Sequence, residues 1–115
     1  MRKIRIKAAS GLEMTATLND SKTSEAIWRA LPIESKAQRW GDEVYFTIGV
    51  AAPEENPQAT VPYGTIAYWP PGKAFCIFFG QTPYSPVNVI GQVDGDAGEF
   101  DRVKSNEGIR LEEID

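Results

Sequence analysis

Lys3-Ile4-Arg5-Ile6-Lys7-Ala8-Ala9-Ser10-Gly11-Leu12-Glu13-Met14-Thr15-Ala16-Thr17-Leu18 alternates polar and apolar residues on both sides of a Ser-Gly step. Ile4, Ile6 and Ala8 fall on one side and Lys3, Arg5 and Lys7 on the other, the period of a strand with one buried face. Beyond the turn, Leu12, Met14, Ala16 and Leu18 face in while Glu13, Thr15 and Thr17 face out, so the two runs predict a hairpin. The bases of the first run, with Arg2, are expected to form the solvated face of an edge strand.

Working outward, Asn19-Asp20-Ser21 offers side-chain acceptors for the free amides of a helix start. Ile27, Ala30 and Leu31 follow at helical spacing, which predicts one clear helix at about 23–31, ended by Pro32. Trp28 is expected to plug a barrel end or pack on its wall. A less regular strand is expected at about 33–39, before a bend at Trp40-Gly41-Asp42. Residues 43–50 alternate again, with Val44, Phe46, Ile48 and Val50 on one face and Glu43, Tyr45 and Thr47 on the other. Residues 53–62 contain three prolines and no periodicity, and are read as a long surface loop. Gly64–Trp69 and Ala74–Phe79 are two strands joined at Pro70-Pro71-Gly72-Lys73, where Gly72 is expected to permit the reversal. The second is apolar at every position, which suggests cover on both faces. After an ordered loop at 81–86, strands are expected at 87–93 and 109–114, with a short second helix at about 97–104. These runs make eight strands in one domain, residues 1–115. Alternation by itself allows a sandwich as well as a closed barrel.

Composition narrows the function. A chain of 115 residues, 42% hydrophobic and 24% charged, suits one globular core. A net charge of −4 opposes nucleic acid as the main partner, since that affinity comes from Lys and Arg displacing counterions. No apolar run is long enough to span a bilayer, and the N-terminus alternates charge with Ile, so no membrane partner and a cytoplasmic location are expected. The one cysteine, Cys76, lies in an apolar strand and reads as a core residue.

No histidine is present, which excludes Ser-His-Asp and Cys-His catalysis and leaves no set of zinc ligands. Asp94-Gly95-Asp96 with Glu99 and Asp101 lacks the spacing of a calcium loop and reads as an acidic turn at a helix start. No glycine-rich phosphate loop occurs, and neither a metal nor a cofactor is expected. What stands out is a set of aromatic and polar residues at strand ends. Arg39, Glu43, Tyr45, Tyr68 and Gln81 are the candidate ligand-binding residues, while Trp40, Phe46 and Phe79, and Tyr68 among the candidates, are weighted toward core packing.

Leu31-Pro32, Trp40-Gly41-Asp42-Glu43-Val44-Tyr45-Phe46, Gly64-Thr65-Ile66-Ala67-Tyr68-Trp69-Pro70 and Phe78-Phe79-Gly80-Gln81-Thr82-Pro83 resemble stretches of the small prokaryotic cyclophilin-like proteins, a family of unassigned function. The resemblance implies a mainly β, closed eight-stranded cyclophilin-like barrel. It carries over no catalytic set: the Phe-His-Arg run, the Gly-Gly-Asp segment and the later histidine of true cyclophilins have no match, and Arg39 follows Ala37-Gln38. The leading expectation is a non-catalytic or weakly catalytic module with a small-molecule or peptide ligand in a pocket on the barrel wall. The alternatives are a prolyl isomerase of low activity using Arg39, and a structural domain that forms a homodimer through an edge strand and aromatics such as Trp69 or Tyr84.

Overall fold

A computed structural model describes residues 2–80, 83 and 85–114. Among the described residues nine strands form one antiparallel sheet: β1 (Lys3–Ala8), β2 (Glu13–Leu18), β3 (Ile33–Lys36), β4 (Gln38–Arg39), β5 (Glu43–Thr47), β6 (Thr65–Trp69), β7 (Ala74–Phe78), β8 (Asn88–Val93) and β9 (Gly108–Ile114). Their order across the sheet is β3-β9-β1-β2-β8-β6-β7-β5-β4. The two outermost strands, β3 and β4, are consecutive in sequence and separated only by Ala37. The segment 33–39 therefore pairs with β9 through its first half and with β5 through its second, and draws the two edges of the sheet together. Ala37 sits at the crossing, its amide donating to Glu107 O at 2.8 Å and its carbonyl accepting from Asn106 N at 2.7 Å. Ser35 Oγ adds a bond to Thr47 O across the seam. The result is the expected mainly β, nearly closed barrel. The strand count is nine because the strand expected at 33–39 breaks at Ala37.

The N-terminal hairpin forms in the expected register, Ile4 opposite Ala16 and Ile6 opposite Met14. It is not at an edge, however, because β9 returns from the far end of the chain to pair with the other side of β1. The bases of β1 instead form a solvated ladder in the middle of the sheet, with Lys3 2.9 Å from Asp94 and Arg5 between Glu13 and Glu112. Asp94 also accepts from the Thr15 and Thr17 hydroxyls, so this acidic turn locks the hairpin to the end of β8.

Helix α1 (Lys22–Ala30) covers one end of the barrel, with Ile27 completely buried and Trp28 packed against the core. It begins one residue earlier than expected because Ser21 is itself the cap, its Oγ accepting from Ser24 N. The loop after β5 holds the same helix end: Glu55 accepts from the Lys22 and Thr23 amides and the Thr23 hydroxyl. Buried Asn88 ties helix, loop and barrel together, donating to Thr23 Oγ1 and Pro53 O and accepting from Glu55 N. The helix expected at 97–104 is a 3-10 segment, Ala97–Arg102, capped by Asp96, whose side chain accepts from Gly98 N and the Tyr63 hydroxyl. The turn before β7 also differs in detail. Lys73, not Gly72, takes the left-handed conformation, and Gly72 is needed because a Cβ there would lie 2.6 Å from the Trp69 ring.

Inside the barrel, Val44 and Phe46 of β5, Ile66 and Tyr68 of β6, and Phe75 and Ile77 of β7 meet the apolar face of the hairpin, and the Phe46 and Phe75 rings stack at 5.2 Å. Where β8 passes between β2 and β6, a bulge leaves Ile90 without a partner on β6, and Gly91 takes a φ of +154°. A Cβ on Gly91 would lie 2.0 Å from the Thr17 carbonyl oxygen. Gly91→Ala is therefore expected to cost more than about 3 kcal/mol in urea denaturation, because rigid backbone must move. Gly11→Ala, at an open turn with nothing within 4 Å, is expected to cost only about 1 kcal/mol.

Candidate functional site

Strands β5, β7 and β6 lie side by side, and alternation sends every second side chain to the outside of the barrel. Register then decides which of these meet. Tyr45 lies opposite Cys76 and Glu43 opposite Phe78, while across the next ladder Ala67 faces Cys76 and Trp69 faces Ala74. The small residues Ala67, Ala74 and Cys76 are buried together with Phe78 and Val87 in a second apolar cluster separate from the barrel interior, and Cys76 and Phe78 line a hollow above it. Larger residues stand around it. Tyr45 and Trp69 rise from the strands, Trp40 from the bend before β5, and Pro83, Ser85 and Val87 from the chain leading into β8. Together they enclose a cavity of about 230 Å³ on the outer wall.

Local structure fixes each wall. Trp40 and Glu43 exchange backbone hydrogen bonds of 3.0 and 3.2 Å around a turn with Gly41 at φ +58°, which sets the Trp40 ring beside Glu43. The Trp69 indole N–H donates to Ser85 Oγ and its ring lies over Gly72. Val87 is held by reciprocal backbone bonds to Gln58 of the long loop.

Among the described residues Glu43 is the one carboxylate lining this cavity, and it is only 6% exposed. Burial raises its pKa from 4.5 to about 7, against a smaller downward pull from the Cys76 thiol beside it. The thiol in turn is pushed well above its ordinary value, by burial first and by the neighbouring carboxylate second. Cys76 is thus a protonated floor residue, not a nucleophile.

Of the five residues singled out from sequence, Glu43 and Tyr45 share this cavity. Tyr68 points the other way, into the barrel, where it is fully buried; its hydroxyl donates to Val50 O and accepts from Ala52 N, anchoring the start of the long loop. Arg39 lies at the barrel end with its guanidinium over the Phe79 ring, donating to Asp101 O, Val103 O and Gly41 O at 2.9 Å and pairing with the Asp101 carboxylate at 3.1 Å. Gln81 and Tyr84 are outside the described residues. Sequence reasoning passes over Cys76 and Phe78, assigns Trp69 to a dimer contact and weights Trp40 toward the core; Cys76, Phe78 and Trp69 share the outward parity of Tyr45 once the ladders are in register, and Trp40 is 43% exposed at the cavity wall. A second hollow, between β1, β9 and β3, is shallower and lined by paired charges such as Arg110 with Glu34 and Glu112. Among the described residues no three of Cys, Asp and Glu converge on a point that would hold a metal ion.

Comparison with known proteins places this architecture. The profile of the Cyclophilin-like family matches residues 2–112. The solution structure of the hypothetical protein AF2241 from Archaeoglobus fulgidus is 40% identical and superposes with a TM-score of 0.84, covering 98% of this chain and 95% of that one. The structure of McbB in complex with tryptophan superposes with a TM-score of 0.79 at 20% identity, covering 95% of this chain and 44% of McbB, a likeness of fold. No curated protein matches.

The buried carboxyl has a consequence for stability. Because its pKa is higher folded than unfolded, the native state binds the extra proton, so the stabilisation is complete below about 4.5 and is lost as pH rises to about 7. Glu43→Gln mimics the protonated form and is expected to keep that stability. The variant's advantage over wild type in denaturant unfolding should therefore grow by about 2–3 kcal/mol between pH 5 and pH 8. A difference that stays constant over that range would contradict the burial of Glu43.

Proposed function

We propose a ligand-binding role for this chain, which belongs to the Cyclophilin-like family: a small molecule carrying a flat apolar ring binds in the outer-wall cavity. The observation that carries this reading is a hollow over Cys76 and Phe78 set among Trp40, Tyr45 and Trp69. A wall built only for packing would close that hollow, whereas rings around a depression supply contact area at low entropy cost. The volume of about 230 Å³ sets the scale. At roughly 30 Å³ per water it holds seven or eight waters, or a molecule of about ten non-hydrogen atoms. That lies below the roughly 300–1,000 Å³ of pockets for drug-sized ligands, which favours a small metabolite over a peptide of several residues. McbB, of which 44% superposes on this barrel, is known in complex with tryptophan, and a ring of that kind matches the chemistry of these walls.

The isomerase alternative draws no support from Arg39, whose two terminal nitrogens are turned to Asp101, Val103 and Gly41 and which does not line the cavity. The dimer alternative draws none from Trp69, whose indole is engaged with Ser85. A cytoplasmic setting goes with the binding reading, since Cys76 is free and buried, as suits a reducing compartment. No helix among the described residues is long and apolar enough to cross a membrane.

Titration with indole, followed by amide and indole N–H chemical shifts, tests the proposal. Saturable shifts are expected at residues 43–45, 67–69 and 76–78 and at the Trp40 and Trp69 side chains. Trp40→Ala, at a partly exposed ring, should weaken binding about tenfold with little change in stability. Shifts confined to the hollow between β1 and β9, or none at millimolar indole, would overturn it.

A further inference from the structure

Among the described residues the outer-wall cavity is mostly apolar, and the one charged group in its lining is acidic. Glu43 reaches it from β5 with almost no exposure, although a buried carboxylate is costly unless something compensates its charge. Among the described residues no Lys or Arg forms an ion pair with it. Arg39, the cation closest in sequence, is spent on Asp101 and three carbonyls at the barrel end. The groups that accompany Glu43 around the cavity are instead the rings of Trp40, Tyr45 and Trp69, whose π faces carry partial negative charge. A carboxylate among aromatic faces repels an anion and attracts a cation, most strongly where water is excluded.

We infer that the ligand of this cavity is an organic cation: a protonated amine on a small apolar or aromatic skeleton, its ammonium meeting the Glu43 carboxylate and its skeleton lying against Trp40, Tyr45 and Trp69. This rests on the binding role proposed above and adds the chemical class. A bare metal ion fits less well, because a lone carboxylate supplies too few ligands and no second acid among the described residues lines the cavity.

Binding is then coupled to a proton. Among the described residues the titratable groups facing Glu43 are the Cys76 thiol on β7 and the Tyr45 phenol on its own strand, with Asp42 its neighbour in the turn. Burial keeps the free protein's Glu43 carboxyl about half protonated near pH 7. An arriving ammonium favours the ionised form and expels that proton. Affinity for an amine should rise with pH up to about 8, whereas affinity for a neutral molecule of the same shape should not.

The test uses three probes of one shape and different charge, 2-phenylethylamine, 2-phenylethanol and 3-phenylpropionate, in calorimetric titrations of the wild-type protein at pH 8 and pH 5.5. The amine is expected to bind about tenfold tighter than the alcohol at pH 8, with the carboxylate weakest. That preference should shrink severalfold at pH 5.5, although an alkylamine with a pKa near 10 remains protonated throughout. Amine binding near pH 7 should also release a proton, seen as a heat that depends on the buffer's ionisation enthalpy. Glu43→Gln should bring the amine down to the level of the alcohol and leave the alcohol within about threefold of wild type. Equal affinities for the three probes, or an amine preference that survives in Glu43→Gln, would overturn the inference and leave the binding role standing. If none of the three binds, the binding role fails and the inference with it.

Discussion

Strand β7 has both faces covered, and the rest of the structure is organised around that constraint. Its alternate side chains Phe75 and Ile77 enter the barrel core, while Ala74, Cys76 and Phe78 point outward and are buried as well. An ordinary barrel wall shows its outer face to water, where charged residues satisfy it, as the Lys and Arg ladder of β1 does. On β7 the outer face is apolar and must be roofed. The long loop after β5 and the chain before β8 supply that roof, joined to each other by the bridge between Gln58 and Val87. The cavity is what the roof leaves open above Cys76 and Phe78.

The same loop is held at three further points: by Tyr68 from inside the barrel, by Asn88 from β8, and by Glu55 on the helix N-terminus. Each is a side-chain bond to backbone or to a capping hydroxyl, so the loop has fixed partners although it has no periodic structure of its own. Hydrogen bonds to the Lys22 and Thr23 amides and the Thr23 hydroxyl hold the Glu55 carboxyl below its usual range. Glu43 and Glu55 thus shift in opposite directions for opposite reasons. One is surrounded by rings and a thiol, the other by donors.

What was legible in the sequence was local. The hairpin of residues 3–18 announced itself by period and turn, the helix by Ser21 and Pro32, and the long loop by its prolines. Pairing between distant segments was not legible. That β1 is central depends on β9, which follows only at the end of the chain, and the break at Ala37 depends on the two sheet edges meeting there. The candidate site was half legible for the same reason. Glu43 and Tyr45 share a face by parity, but that Cys76 and Ala67 lie level with Tyr45 comes from two ladders whose register no single strand reveals. Tyr68 has the parity of Ile66, inward, and opposite that of Trp69. Arg39 stands beside the bend in sequence, but its Asp101 partner belongs to the 3-10 segment some sixty residues on.

The account comes down to one carboxyl held among rings on the outer wall of a barrel. Its direct measure is the titration midpoint of the Glu43 side-chain carboxyl, followed by carbon NMR in the free protein. A midpoint near 7 is the predicted result. A midpoint near 4.5 would mean that water or a cation reaches Glu43, and would contradict both the burial and the selectivity drawn from it.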